Sequence, residues 1–266
     1  MKAFITELKK LKDFSKASLQ KLANQTEDKK SAQEQLSEMR GLNVIEDRIE
    51  DLIDELKEKL SSQIEEPRET LSPFFTDRSS ITISKEVKLN LNMALKGAPG
   101  TGKTTVARLL GEIFRDNGLL KSGHLVKASR SDLVAGYVGQ TAQRTAQLID
   151  QAMGGVLFVD EAYSLVKENG NDFGTEALET ILEAMENHKG EFSVIFAGYP
   201  DEIDGVIESN PGFKSRFSES NIITIPNFDS QSLFDILKDT MAKESKTLND
   251  ELEQKLPIII NAWHAT

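Results

Sequence analysis

The chain has 266 residues, and its 32 Lys and Arg against 43 Asp and Glu leave a net charge of −11. A chain of this length buries roughly 75% of its unfolded surface, so it can hold a core without disulfides or metal. It contains no cysteine, which removes disulfide and thiol chemistry. The acidic balance argues against a general duplex-binding surface, which needs clustered cations, though it leaves room for a local basic channel.

No stretch approaches the ~20 apolar residues of a membrane span, and the strongest run, GGVLFVD, has the length of a strand. The opening MKAFITELKKLKDF is basic but has no apolar signal core. A cytoplasmic protein with no membrane insertion is the expectation.

Residues 1–40 are rich in Lys, Glu, Gln and Ser, with Phe4, Leu8, Leu11, Phe14, Leu19 and Leu22 at rough helical spacing. They read as a charged helical N-terminal arm, packing on itself or on a neighbour. Residues 42–60 carry the stripe Ile45, Ile49, Leu52, Ile53, Leu56 and Leu60, which predicts an amphipathic helix. The polar, proline-bearing SSQIEEPRETLSPFF then reads as a loop.

From residue 91 short apolar runs alternate with helical periods. LNMALKG precedes a predicted helix over about 103–116, HLVKAS one over 141–153, and GGVLFVDEA one over 174–187, while FSVIFAGYP and NIITIP supply two more strands. This alternation predicts βαβ units, an α/β fold with a parallel sheet covered by helices on both faces. NFDSQSLFDILKDTMAKESK opens a last region, 229–266, with helices expected over 231–245 and 249–264.

GAPGTGKT, Gly97 to Thr104, fits the phosphate-loop pattern G-x-x-x-x-G-K-[ST], and it lies between a strand and a helix as the mechanism requires. Gly97, Gly100 and Gly102 allow turns that aim backbone N–H groups at phosphate oxygens. Ala98, Pro99 and Thr101 complete the loop, and Thr105 follows it in the helix. Lys103 would reach the β- and γ-phosphates, and the Thr104 hydroxyl would ligate Mg²⁺. A nucleoside triphosphate is the expected ligand. VLFVDE, Val156 to Glu161, is an apolar strand ending in two carboxylates. Ligands of parallel sheets gather at strand carboxyl ends, which sets Asp160 beside the loop. Asp160 would hold Mg²⁺ through water, and Glu161 would polarise the attacking water.

With these motifs in place, the chain from about 40 to 230 resembles an AAA+ ATPase. Within that superfamily it resembles the branch of the red-type Rubisco activase, the sporulation stage V protein K and the cytosolic ATPase of type VII secretion. The resemblance rests on GLNVIEDRI (41–49), GAPGTGKTTVARLLGEIF (97–114), DLVAGYVGQTAQRT (132–145), VLFVDEAYSL (156–165), FAGYPDEI (196–203) and NPGFKSRF (210–217). It implies a three-layer P-loop NTPase domain over 41–228, with ATP and Mg²⁺ as cofactors.

The resemblance assigns further roles. Arg216 matches the arginine finger, which projects into a neighbouring subunit's site; the bland alternative is a surface Arg paired with Glu208 or Glu219. Gly41 and Leu42 match the segment lining the adenine pocket. Tyr137, flanked by Gly136 and Gly139, matches the pore-loop aromatic that grips polypeptide in related hexamers; a structural tyrosine closing the loop is the alternative. Two departures stand out. Tyr199 takes the place where most of the superfamily carries Asn or another small polar residue to orient water, so the resemblance implies a catalytic role for a phenol of different reach. The arginine-bearing motif of the helical lid is also absent, so 229–266 reads as an incomplete lid of a longer polypeptide.

The expected function is a ring-forming ATPase, a hexameric homo-oligomer, that remodels a protein client. The alternative is an ATP-dependent oligomerisation switch or scaffold that threads nothing. A nucleic-acid-handling ATPase is disfavoured by charge and by the lack of a basic, aromatic-interleaved stretch.

Overall fold

The computed structural model describes residues 30–39, 42–64, 88–137, 139–166, 173–243, 246 and 248–264. Most of the N-terminal arm, together with Gly41, lies outside the described residues.

The part of the arm that is described forms α1 (Ala32–Ser37). Its start follows from a reciprocal cap: Ser31 Oγ accepts from the Glu34 N–H at 3.1 Å, and the Glu34 carboxylate accepts from the Ser31 N–H at 2.8 Å. α1 buries Ala32 and Leu36 in the main core. The amphipathic stripe forms α2 (Asn43–Ile64), and Ile45, Ile49, Leu52, Ile53 and Leu56 are all buried on it.

Five strands follow: β1 (Met93–Lys96), β2 (Leu125–Ala128), β3 (Val156–Asp160), β4 (Ser193–Gly198) and β5 (Ile222–Thr224). They form one sheet in the order β2-β3-β4-β1-β5, with every pairing parallel. Successive side chains alternate between its faces. Met93, Leu95 and Phe158 point into a core shared with α1, α2 and α3 (Lys103–Asp116). Ala94, Leu157 and Val159 point into a second core. That core is closed by α5 (Thr141–Ala152), α6 (Phe173–Asn187), α7 (Pro200–Glu208) and α8 (Pro211–Arg216). The three-layer α/β architecture therefore follows from strands that are apolar on both sides.

Some short elements have no apolar period of their own. α4 (Arg130–Leu133) and the 3₁₀ turn Ala162–Leu165 are single turns. α7 and α8 each begin with a proline at the first helical position, where a missing N–H costs nothing. Phe213 and Phe217 pin α8 to the sheet through Phe196, with ring centroids 5.4 and 5.1 Å away.

The last region forms α9 (Ser230–Lys243) and α10 (Asp250–His264), which pack on each other. An ion pair between Lys238 and Glu253 joins them. Among the described residues no helix is long and apolar enough to cross a membrane.

The register places the carboxyl ends of β1, β3 and β4 side by side: Lys96 is level with Gly198, and Asp160 with Ala197. β1 is also where the strand order reverses, since its chain leaves toward the far edge and returns. Ligands of such sheets bind outside the strand ends at this point.

Candidate functional site

Residues 97–102 connect β1 to α3. The loop is tied down at its start, where the Gly97 N–H donates to the Gly198 carbonyl at 3.0 Å. Thr101 is buried, and its Oγ1 donates to the Ala98 carbonyl at 2.9 Å. Gly100 and Gly102 have φ of 79° and 89°, left-handed values that a side chain would resist. Gly102 is also the N-cap of α3 and offers no side-chain acceptor. The first N–H groups of α3 thus lack a capping partner and favour an anion.

Lys103 Nζ donates to the carbonyls of Gly97 at 2.8 Å and Ala98 at 2.7 Å. Burial lowers its pKa below the ordinary lysine value, and the nearby Asp160 carboxylate works in the opposite direction. Its ammonium therefore rests on weak neutral acceptors beside a space suited to a stronger anionic one.

That space is a cavity of about 340 Å³. Lys103, Thr104, Asp160, Glu161, Tyr163 and Tyr199 are among the residues that line it. Asp160 closes β3, and its Oδ2 is ion-paired with Lys127 Nζ at 2.9 Å. Glu161 follows with φ 52° and ψ 45°, the only non-glycine with positive φ among the described residues. A left-handed glutamate is a strained conformation of the kind found at working sites. Tyr199 is 43% exposed, and its ring centroid lies 6.3 Å from that of Tyr163. Burial raises the Tyr163 pKa, with Glu161 adding to the effect, so its phenol stays protonated and can donate.

A second cavity, of about 610 Å³, adjoins the first through Gly100, Gly102 and Thr105. Met39, Leu109, Phe228 and Ile236 give it apolar walls. Sequence reasoning overlooked Met39, Phe228 and Ile236 here, and Tyr163 in the first cavity. Tyr163 carried a signal, lying three residues past Asp160 in VLFVDEAYSL. The other three had none, because they come from distant parts of the chain. Leu42 lines neither cavity: it is 1% exposed and packs in the core with Ile45 and Ile49.

The structure keeps two predicted residues apart from this group. Arg216 ends α8 and lines a separate small cavity with Glu186. Its ion-pair partner is Glu186, not the Glu208 or Glu219 considered from sequence. Tyr137 is 75% exposed on the segment between α4 and α5. The base of that segment is pinned by two fully buried threonines. Thr141 Oγ1 accepts from the Ala135 N–H at 3.1 Å, and Thr145 Oγ1 donates to the Leu133 carbonyl at 3.2 Å.

A sequence model of the AAA family, the ATPase family associated with various cellular activities, matches residues 93–225, which run from β1 through β5 and include the carboxyl ends of β1, β3 and β4. The chain belongs to the AAA family of ATPases. It is similar to Stage V sporulation protein K of Bacillus subtilis (strain 168), 46% identical over 169 residues that make up 64% of this chain and 52% of that protein. It is also similar to the chloroplastic ribulose bisphosphate carboxylase/oxygenase activase of Cyanidioschyzon merolae (strain NIES-3377 / 10D). That likeness is 37% identity over 223 residues, 82% of this chain and 68% of the activase. The chain spans about half the length of several curated relatives it matches. Among solved structures, a chain of the E. coli MS115-1 HORMA:CdnC:Trip13 complex shares the fold, with a TM-score of 0.54 and 16% identity over 86% of this chain and 76% of that one. These relatives place the AAA-family chain in the branch anticipated from its motifs.

Proposed function

We propose that this AAA-family chain binds ATP with Mg²⁺, hydrolyses the β–γ bond, and assembles into a hexameric ring that remodels a protein client. The observation that carries the hydrolytic reading is the convergence of Lys103, Thr104, Asp160 and Glu161 on one cavity at the switch point of the sheet.

The donor set fits magnesium. Among the described residues no group of three or more His, Cys, Asp or Glu could cage a metal. Mg²⁺ bound with a nucleotide needs no cage, since it keeps several waters and takes one or two protein oxygens plus phosphate. The Thr104 hydroxyl would supply a direct oxygen and Asp160 would hold the ion through water, and the ion would neutralise charge on the β- and γ-phosphates.

Lys103 exchanges the carbonyls of Gly97 and Ala98 for phosphate oxygens. The uncapped start of α3 and the left-handed glycines supply N–H donors around them. Glu161 orients and polarises the attacking water, helped by its fixed left-handed backbone. Tyr199, which lines the cavity, hydrogen bonds near that water. The base and ribose lie in the adjoining cavity against Met39, Phe228 and Ile236. Arg216 of a neighbouring copy stabilises charge on the γ-phosphate, and Tyr137 grips the client.

Paired variants test the hydrolytic reading. Lys103→Ala should lose nucleotide binding by more than tenfold in a fluorescent-nucleotide titration. Glu161→Gln should bind within a few-fold of wild type and hydrolyse at least a hundredfold more slowly. Equal loss of binding in both would show that Glu161 is a binding residue and not the base.

A further inference from the structure

Arg216 is restrained in an unusual way. Its backbone is anchored, because the Asn90 side-chain amide donates to the Arg216 carbonyl at 2.7 Å. Guanidinium Nη1 donates to the Gly212 carbonyl at 2.8 Å and to Ser215 Oγ at 3.3 Å. Nη2 is ion-paired with Glu186, at the end of α6. Nε is buried and has no hydrogen-bond partner. A buried donor left unmade is costly, so this arrangement is not the best the guanidinium could find. It is held nonetheless, and the one charged group holding it comes from another helix.

We infer that Glu186 is a latch: it neutralises Arg216 within its own subunit and yields it to the γ-phosphate of a neighbouring subunit's nucleotide. The inference rests on the arginine-finger reading above. The two ends of the pair are unequal in a way that suits exchange. The Arg216 side chain is 21% exposed, whereas that of Glu186 is 66% exposed. When the guanidinium turns away, Glu186 is solvated at little cost. Arg216 meanwhile trades a carboxylate for a phosphate, which carries more charge and more acceptor oxygens in the same planar fork geometry. Glu186 also sits in the last turn of α6, where the helix dipole disfavours a negative charge. Its carboxylate therefore contributes little to α6 itself.

The latch lowers the fraction of subunits whose finger is available, and so lowers turnover without touching the nucleotide cavity. Glu186→Gln keeps the shape and an acceptor oxygen but removes the charge. It should raise kcat for ATP about three- to tenfold at fixed subunit concentration, with KM unchanged within twofold. Glu186→Asp, which keeps the charge on a shorter arm, should fall between that variant and wild type. The double variant Glu186→Gln/Arg216→Ala should match Arg216→Ala alone, because the latch has nothing left to hold. Thermal melts within a few degrees of wild type would show that all variants are folded. A Glu186→Gln kcat at or below wild type, while Arg216→Ala is strongly impaired, overturns the latch and leaves the finger standing. Wild-type turnover in Arg216→Ala overturns the finger itself, and the latch with it.

Discussion

Glu161 combines a chemical and a conformational singularity. Its φ of 52° places a branched-free but full-length side chain in the left-handed region, which costs about 1–2 kcal/mol relative to right-handed backbone. The strain is tolerated because the residue sits between a strand whose first four residues are buried and a 3₁₀ turn, which fix the chain on either side. Replacing it by glycine relieves the strain but adds freedom to the unfolded chain. Glu161→Gly should therefore stabilise the fold by a net of about 0.5–1 kcal/mol, seen as a melting temperature higher by about 1–3 °C. ATP hydrolysis should be lost in the same protein. A lower melting temperature would show that the carboxylate, and not the backbone, governs this position.

Helices α3 and α7 differ in how closely they are packed, and glycine substitutions read the difference. Gly205 lies inside α7, and a Cβ added there would meet nothing within 4 Å. Gly205→Ala should stabilise by about 0.5–1 kcal/mol through helix propensity alone. Gly111 lies inside α3, where a Cβ would be 2.5 Å from the Gly123 carbonyl and 3.0 Å from Val156 Cγ2. Gly111→Ala should destabilise by about 1–3 kcal/mol, as overpacking does. Denaturant midpoints measured side by side should move in opposite directions. α3 is the element whose first turn faces the phosphates, so Gly111→Ala should also weaken nucleotide binding, whereas Gly205→Ala should not.

Neither Arg216 nor Tyr137 lines the cavity beside Lys103, and on the proposed reading both act at the level of assembly. If the proposed finger role holds, Arg216→Ala and Lys103→Ala each remove half of a shared site. Mixed under conditions where subunits exchange, they should recover part of the wild-type ATPase, because some interfaces pair an intact Arg216 with an intact phosphate loop. A mixture no more active than its components would place Arg216 outside the neighbouring site. Tyr137→Ala should keep basal hydrolysis within a few-fold of wild type, a barrier change of about 1 kcal/mol or less. Its remodelling of a protein client should fall much further, because a methyl group offers little to grip. Remodelling that survives the substitution would favour the nucleotide-controlled switch over threading.

Much of this organisation is written locally in the chain. The phosphate loop is a run of consecutive residues whose glycines dictate its backbone, so Gly97 to Thr104 could be placed from their order alone. The strands are continuous apolar runs because both faces of a parallel sheet are covered, and their boundaries in the structure fall within the runs LNMALKG, HLVKAS and GGVLFVDEA. Asp160 and Glu161 were legible for the same reason, as the carboxylates that end an apolar strand.

What the order of residues did not contain is which distant side chains meet. Met39, Phe228 and Ile236 converge on one apolar wall only because α1, the segment after β5 and α9 are brought to the same end of the sheet. The partner of Arg216 is neither Glu208 nor Glu219, its neighbours in sequence, but Glu186, thirty positions away and delivered by α6. The resemblance assigns Leu42 to the adenine pocket, whereas in the closed fold it is buried in the core with Ile45 and Ile49, whose spacing it continues. Local backbone chemistry depends on contiguous residues and is recoverable from their order. Electrostatic pairing and apolar convergence depend on distances that only the closed fold defines.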